Sequence, residues 1–513
     1  MKRWNSIFDI MRFPIKLLLL AFIFVEFGKI ITDKSVNIFY SLDNVYIKFL
    51  SQSLIQIGQA VISNFPLIVI VRIASRRNKS GTPVMIGIIG YISFLVFTMI
   101  FQYGILSPYA TYEVFGIQMA RVASDGSQSL ILPIQTGLLG ALVVGFITRY
   151  SYVRSRRRNP YSIFAFLDKD TVGYIYNIIF CGLAGIAVAI FWPYLLNFLQ
   201  KIIVVISSNI NDPKRMFVYG ALEKVLNVLG LGELIRQPFW FGSAGGSINT
   251  ITGETILGDV GIFSKLQELN LSTSGYGRFI TPYYIVNMFV MPAMILALFR
   301  SENRKSNRSK FFVPVLLLVF FLFVNGNALP IEMFLLFSAP LLFGIHVLFS
   351  GLLFGLLEYL DIFLGFSYAG NTTFASPGSF LDYIILLRNP DYQKTLLKIV
   401  FIGLIFALIY YFITRIYIKY LAFDAISSGK KEHYAINIID SIGGCDNIGD
   451  IYSNPFRLAI VVKDQQLIDF EKIKKLNFSK IAETSEGIII YSGMSSAILR
   501  SEILKAIEVS KRN

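Results

Sequence analysis

Apolar stretches recur along most of the chain, at positions 14–25, 54–73, 84–101, 130–147, 172–195, 217–235, 282–299, 311–324, 333–357 and 397–412. Several approach the roughly 20 residues that a helix needs to cross about 30 Å of hydrocarbon. Short basic loops punctuate them. The first holds Arg72, Arg76, Arg77 and Lys79, and the second Arg149, Arg154, Arg156, Arg157 and Arg158. The third holds Arg300, Arg304, Lys305, Arg308 and Lys310, and a last group is Arg415, Lys419, Lys430 and Lys431. Loops of this kind mark the cytoplasmic side of a multi-pass membrane protein. Stretch 14–25 reads as a first span rather than a removed signal, because no small-residue cleavage site follows it.

The number of crossings between basic loops constrains the topology. With Lys2, Arg3 and Arg12 inside, two crossings reach the first basic loop and two more reach the second. Three apolar stretches then separate the second loop from the third, and three more separate the third from the fourth. An odd number of full crossings cannot join two loops on one side. Each block is therefore expected to contain a segment that enters and leaves on the same side. Both blocks carry a polar, Gly/Pro-rich interruption: Gln237-Pro238 through Gly242-Ser243-Ala244-Gly245-Gly246, and Asn325-Gly326-Asn327-Ala328-Leu329-Pro330. Irregular backbone at membrane depth survives only where protein or a water-filled cavity satisfies it, and paired interruptions point to a binding site.

The pattern changes near the C-terminus. Ile436, Ile439 and Ile442 repeat at helical spacing, 457–462 and 487–491 are apolar runs of strand length, and Leu499, Ile503 and Ile507 stripe a closing helix. The sequence predicts an all-α polytopic membrane protein with a small C-terminal α/β domain. The expected boundaries are 1–422 for the membrane domain, 423–433 for a polar linker containing Ser427, Ser428 and Gly429, and 434–513 for the α/β unit.

Composition agrees. The chain is 54% hydrophobic and 15% charged, with a mean hydropathy of +0.61, against about 25% charged residues in soluble domains. The net charge of +15 is confined to loops and suits topology and anionic headgroups rather than nucleic acid. Two cysteines, Cys181 and Cys445, form neither a disulfide framework nor a metal spacing; no metal or other cofactor is expected.

Asn64-Phe65-Pro66-Leu67, Trp192-Pro193, Gly230-Leu231 followed by Pro238-Phe239-Trp240, Gly277-Arg278-Phe279, and Asn325-Gly326-Asn327-Ala328-Leu329-Pro330-Ile331-Glu332 occur in an order that resembles one family. Ala339-Pro340-Leu341-Leu342 with His346, Gly365-Phe366-Ser367 with Asp382-Tyr383, Gly443-Gly444-Cys445-Asp446-Asn447-Ile448, and Arg457-Leu458 continue the match. Together they resemble the glucose/maltose/N-acetylglucosamine group of bacterial phosphotransferase-system permeases, in which a membrane EIIC domain is fused to a cytoplasmic EIIB domain. The resemblance implies about ten transmembrane helices with two re-entrant hairpins, a homodimer in the bacterial plasma membrane, cytoplasmic termini, and a sugar held near the midplane. It also implies a phosphoryl relay from an EIIA partner through an EIIB cysteine to the sugar. A thiolate suits that relay as a nucleophile.

The departures fall on the chemistry. Aligning Arg457-Leu458 with the family motif puts Asn454 at the phosphocysteine position, where an amide cannot take phosphate, and Ala459 at a second arginine. Gly232-Glu233 stands where the family has a histidine pair, and Leu329 where it has a sugar-contacting glutamate. The candidate substrate residues are Glu332, Asn64, Glu233 and Arg278; Asn454 and Arg457 mark the relay site, expected to be inactive. An intramembrane carboxylate such as Glu332 is costly to bury and so a functional candidate, with a structural role as the alternative. His346 is expected to be a packing histidine. Three functions fit: a diverged sugar permease that has lost its own phosphoacceptor, a non-transporting sugar sensor, or a permease phosphorylated through a separate EIIB.

Overall fold

The computed structural model describes residues 2–32, 44–76, 81–102, 110–122, 128–156, 168–250, 253–300, 305–366, 377–421, 431–454, 457–476, 478, 480–492 and 496–510. Arg77, Lys79, Arg157, Arg158, Arg304, Lys430, Ser367 and linker positions 423–430 lie outside the described residues.

Helix α1 (Lys2–Thr32) runs antiparallel to α2 (Val45–Ser63), with Gly28 against Ser51 and Ile55, and Gly58 against Ala21 and Val25. Next comes α3 (Phe65–Ser75), bent 60° from α2 at Asn64. The bend has a local cause: Pro66 has no N–H to continue the helical ladder. Helix α4 (Thr82–Ile100) leads to a small antiparallel hairpin, β1 (Met119–Val122) with β2 (Gln128–Ile131). Here the sequence expectation of one span over 130–147 is corrected. Its first residues belong to β2, and helix α5 (Gly137–Arg156) starts only after Pro133, at the positive-φ Gly137.

Helix α6 (Lys169–Ser207) is capped by Asp168, and α7 (Pro213–Val228) by Asp212. Helix α8 (Glu233–Trp240) turns back along α7, with the Trp240 indole donating to the Tyr219 hydroxyl. A short 3-10 turn, strands β3 (Ser247–Asn249) and β4 (Thr255–Leu257), and α9 (Asp259–Glu268) follow. Helix α10 (Thr281–Ile285) passes through a π-helical turn, Val286–Val290, into α11 (Met291–Arg300). Then come α12 (Lys305–Asn325), α13 (Leu329–Ser338), α14 (Pro340–Tyr359), α15 (Phe380–Leu387) and α16 (Pro390–Leu421). The apolar stretch 333–357 is thus broken, not continuous: Pro340 interrupts it, and Ala339 leaves helical geometry at φ −142°, ψ 66°.

Among the described residues, five helices are long and apolar enough to cross a membrane: α4, α6, α10–α11, α14 and α16; the bent α2–α3 pair makes a sixth. The protein is a multi-pass membrane protein. Arg415 donates to the Arg300 carbonyl at 3.1 Å, bringing two basic loops together on one face. On the opposite face Arg278 meets Glu358, the Ile210 carbonyl and Asn211.

Helix α7 starts on that opposite face and lies antiparallel to α14. Gly355 packs on Pro213, Gly351 on Phe217, and Gly220 on Phe354, a close approach that small residues permit between apolar helices. The first hairpin, α7–α8, therefore enters from the face opposite the basic loops, and α12–α13 forms a second from the basic side. The second turns at Gly326–Ala328, within the expected interruption. The first turns at residues 229–232, ahead of the expected Gln237–Gly246. There Gly230 (φ +75°) and Gly232 make the turn, and Gln237–Gly246 instead carries the chain out of it.

The C-terminal unit comprises α17 (Lys431–Ser441), β5 (Ile448–Ser453), β6 (Leu458–Val462), α18 (Phe470–Lys475), β7 (Lys480–Thr484), β8 (Gly487–Tyr491) and α19 (Ser496–Ser510). Its sheet is antiparallel throughout, in the order β5-β6-β8-β7. Ile451, Leu458, Ile460, Ile488 and Ile490 face a core shared with Ile438, Ile442, Ile473, Leu499 and Ile503 of the helices.

Candidate functional site

The two hairpins meet at Glu332. This residue sits in the first turn of α13, fully buried. One of its oxygens lies 2.9 Å from Lys224 Nζ and 3.3 Å from His346 Nε2; the other accepts from Asn227 Nδ2 at 3.3 Å. Lys224 and Asn227 are one turn apart on α7, so both reach the same side. His346 projects from α14, and its Nδ1 faces the Tyr410 hydroxyl of α16 at 3.1 Å. Four helices thus converge on one carboxylate.

A second layer continues outward along α8. Arg236 donates to Asn227 Oδ1 at 3.0 Å, to Glu223 at 3.4 Å and to Glu233 at 2.7 Å. Gln237 donates to the other Glu233 oxygen at 2.9 Å. Both cations also lie over aromatic rings, Lys224 above Tyr283 and Arg236 above Trp240. Buried charges of this kind persist only when paired and hydrogen-bonded.

These groups line a cavity of about 400 Å³, within the range of small-molecule sites. Its wall includes Phe65 and Pro66 of the α2–α3 bend, Lys224 and Asn227 of α7, Glu233, Arg236 and Trp240 of α8, Tyr283 and Asn287, and Asn327, Leu329 and Glu332 of the second hairpin. Asn287 lies in the π-helical turn, a local irregularity that often accompanies functional sites. Its amide donates to the carbonyls of Gly326 and Pro377, while its buried Oδ1 has no partner among the described residues. The cavity therefore offers carboxylates, an amide oxygen and two cations to a hydroxyl-rich ligand, while Leu329 contributes an apolar surface.

The sequence-derived candidates are distributed unevenly. Glu332 and Glu233 both line the cavity. Asn64 sits at the α2–α3 bend beside the wall residues Ser63 and Phe65, with its amide on the Ala60 carbonyl at 2.8 Å. Arg278 is not with them. Its guanidinium lies 2.7 Å from Glu358, on the face opposite the basic loops, where it ties the α6–α7 loop to the end of α14. Asn454 is buried after β5, far along the chain from the cavity residues; its Oδ1 accepts from the Arg457 backbone N–H at 2.9 Å. His346, expected as a packing residue, instead contacts Glu332.

Lys224, Asn227, Arg236, Tyr283 and Asn287 were not singled out from the sequence. One signal was present: Lys224 lies inside the apolar stretch 217–235, and an intramembrane cation implies a buried partner.

The structure is a helical membrane scaffold that encloses a polar cavity between two opposed hairpins. The chain matches the family model "Phosphotransferase system, EIIC" over residues 8–351 and belongs to that family. It is a membrane component of phosphotransferase-system sugar transport, and every cavity-wall residue named above falls within the matched region.

Proposed function

We propose that this protein binds a sugar of the glucose, maltose or amino-sugar class in the cavity around Glu332 and moves it across the bacterial plasma membrane. The observation that carries this is the position of Glu332: a fully buried carboxylate on the cavity wall, where the opposed hairpins meet. Glu233 and the Asn287 Oδ1, which has no partner among the described residues, supply further acceptors for sugar hydroxyls, and Asn64 supports the bend that forms one wall. Arg278 acts in holding the opposite face rather than in contacting sugar. With α1 and α5 read as spans beside the six candidates, the membrane domain has eight crossings and two re-entrant hairpins, against the about ten spans that the resemblance implies. Residues 1–422 then form the permease, 423–433 the linker and 434–513 an EIIB-like domain. Its basic loops, N-terminus and C-terminal domain face the cytoplasm, and the working unit is a homodimer.

The EIIB-like domain is read as unable to carry phosphate. Asn454 has no nucleophile, and Arg457 has lost the company of a second arginine at Ala459. Phosphate, where it is used, comes from an EIIA partner through a separate EIIB.

Quenching of Trp240 fluorescence in the purified full-length protein tests the sugar site. Glucose, maltose and N-acetylglucosamine are each titrated into wild type, Glu332→Gln and Asn287→Leu. Saturable quenching in wild type that weakens at least about tenfold in Glu332→Gln, the value of one charge-assisted hydrogen bond, is expected. No saturable response to any sugar overturns the assignment. Incubating the full chain with a radiolabelled phosphoryl donor tests the relay; label at Ser453 or Cys445 overturns the inert-domain assignment.

A further inference from the structure

The sheet of the C-terminal domain buries both of its faces. One carries the helices α17, α18 and α19. The other is also apolar: Tyr452, Ala459, Ile489 and Tyr491 form a second buried cluster, joined by Val461 and Ala482. This is why 458–462 and 487–491 read as continuous apolar runs rather than alternating ones. The residues near the second face belong to the membrane domain. The Arg76 guanidinium, after α3, lies over the Tyr452 ring at 5.5 Å. Helix α1 packs on β5.

The contact at Asn454 has a particular target. Its Nδ2 donates to the Ser338 carbonyl at 3.3 Å. Ser338 is the last residue of α13, and the final carbonyls of a helix lack partners within it. Asn454 therefore caps the helix that carries Glu332, from the other domain. Six residues separate Ser338 from Glu332, about 9 Å along a rigid helix. Any tilt of α13 that moves the carboxylate also moves the capped carbonyl.

We propose that the C-terminal domain is an intramolecular latch: its apolar sheet face docks on the basic side of the membrane domain, and Asn454 pins the end of α13, coupling docking to the position of the second hairpin and hence to occupancy of the cavity. Linkage makes the coupling reciprocal, so that release of the latch changes ligand affinity and ligand changes the latch. The latch itself stands on the contacts above; only its coupling to sugar rests on the proposed function.

The substitution Asn454→Asp isolates the latch. It keeps the side-chain oxygen that accepts from Arg457 N–H, but replaces the donor to Ser338 with a negative oxygen at a helix C-terminus, where the dipole disfavours it. Hydrogen exchange of the full-length protein in nanodiscs is the readout. Exchange in residues 326–338 is expected to rise about fivefold or more in Asn454→Asp, the equivalent of one net hydrogen bond, while residues 458–462 stay protected. Unchanged exchange in 326–338 overturns the proposal. If 458–462 also lose protection, a Ser338→Cys/Asn454→Cys pair in a Cys445→Ser background decides instead. Disulfide formation in membranes, with slower hairpin exchange reversed by reductant, supports the latch, and failure to cross-link overturns it. Affinity for the three sugars is then compared in wild type and Asn454→Asp. An unchanged affinity overturns the coupling, whereas absence of binding in wild type counts against the sugar assignment and leaves the exchange result to judge the latch.

Discussion

Lys224 Nζ lies 2.9 Å from Glu332 Oε1, joining a hairpin that enters from one face of the protein to a hairpin that enters from the other. Both side chains are almost fully buried, so the pair is a structural tie as well as part of the cavity wall. A buried pair is costly to break, because the surviving charge keeps its desolvation penalty.

The first prediction concerns that pair. Lys224→Met leaves Glu332 with His346 and Asn227 among the described residues, and is expected to destabilise by about 3–5 kcal/mol. Lys224→Met with Glu332→Gln removes both charges and is expected to recover much of the loss. Thermal unfolding of the three proteins in one detergent measures the coupling. Equal melting temperatures for wild type and the single variant would show that the tie contributes nothing.

Arg278 separates stability from binding. Arg278→Ala strands Glu358 and frees the Ile210–Asn211 loop, so the melting temperature is expected to fall. Because Arg278 is absent from the cavity wall, sugar affinity in the folded fraction is expected to stay at the wild-type value. A selective loss of affinity with unchanged melting would return Arg278 to the binding residues.

Gly137 tests the seating of the first hairpin. Its φ is +53°, and a Cβ there meets the Leu229 carbonyl at 2.3 Å, beside the turn of that hairpin. Gly137→Ala is expected to cost about 1–2 kcal/mol for the left-handed conformation and more for the clash. Gly344→Ala is the matched control: its Cβ meets nothing within 4 Å, and a helical alanine gains about 0.5–1 kcal/mol over glycine. Melting temperatures that move together in the two variants would contradict this account.

Asp469 gives a pH dependence outside the membrane. It caps α18, and the Lys472 backbone N–H holds its carboxylate below the usual value of 3.8. A depressed folded pKa stabilises the folded state fully above the unfolded value. That contribution fades as pH falls below 3.8 toward the folded pKa. Protection of the Lys472 amide, measured against its intrinsic exchange rate at each pH, is therefore expected to fall below that pH in wild type. In Asp469→Ala it is expected to be low already at neutral pH, and identical pH profiles would count against the cap.

The sequence by itself determined the multi-pass membrane character, and it marked Glu332 as a residue of interest. Those properties follow from hydrophobic period, charge placement and the cost of burying a carboxylate, all of which are local. Tertiary structure decided which side chains Glu332 meets. Asn227 is 105 positions away, and no spacing rule links a turn of α7 to the start of α13. It likewise sent Arg278 to Glu358 on the opposite face, and turned the Asn454 amide from an apparent loss of chemistry into a cap on another domain's helix. Each is a choice of partner for a buried polar group, and that choice is made only when packing brings distant segments into the same water-poor space.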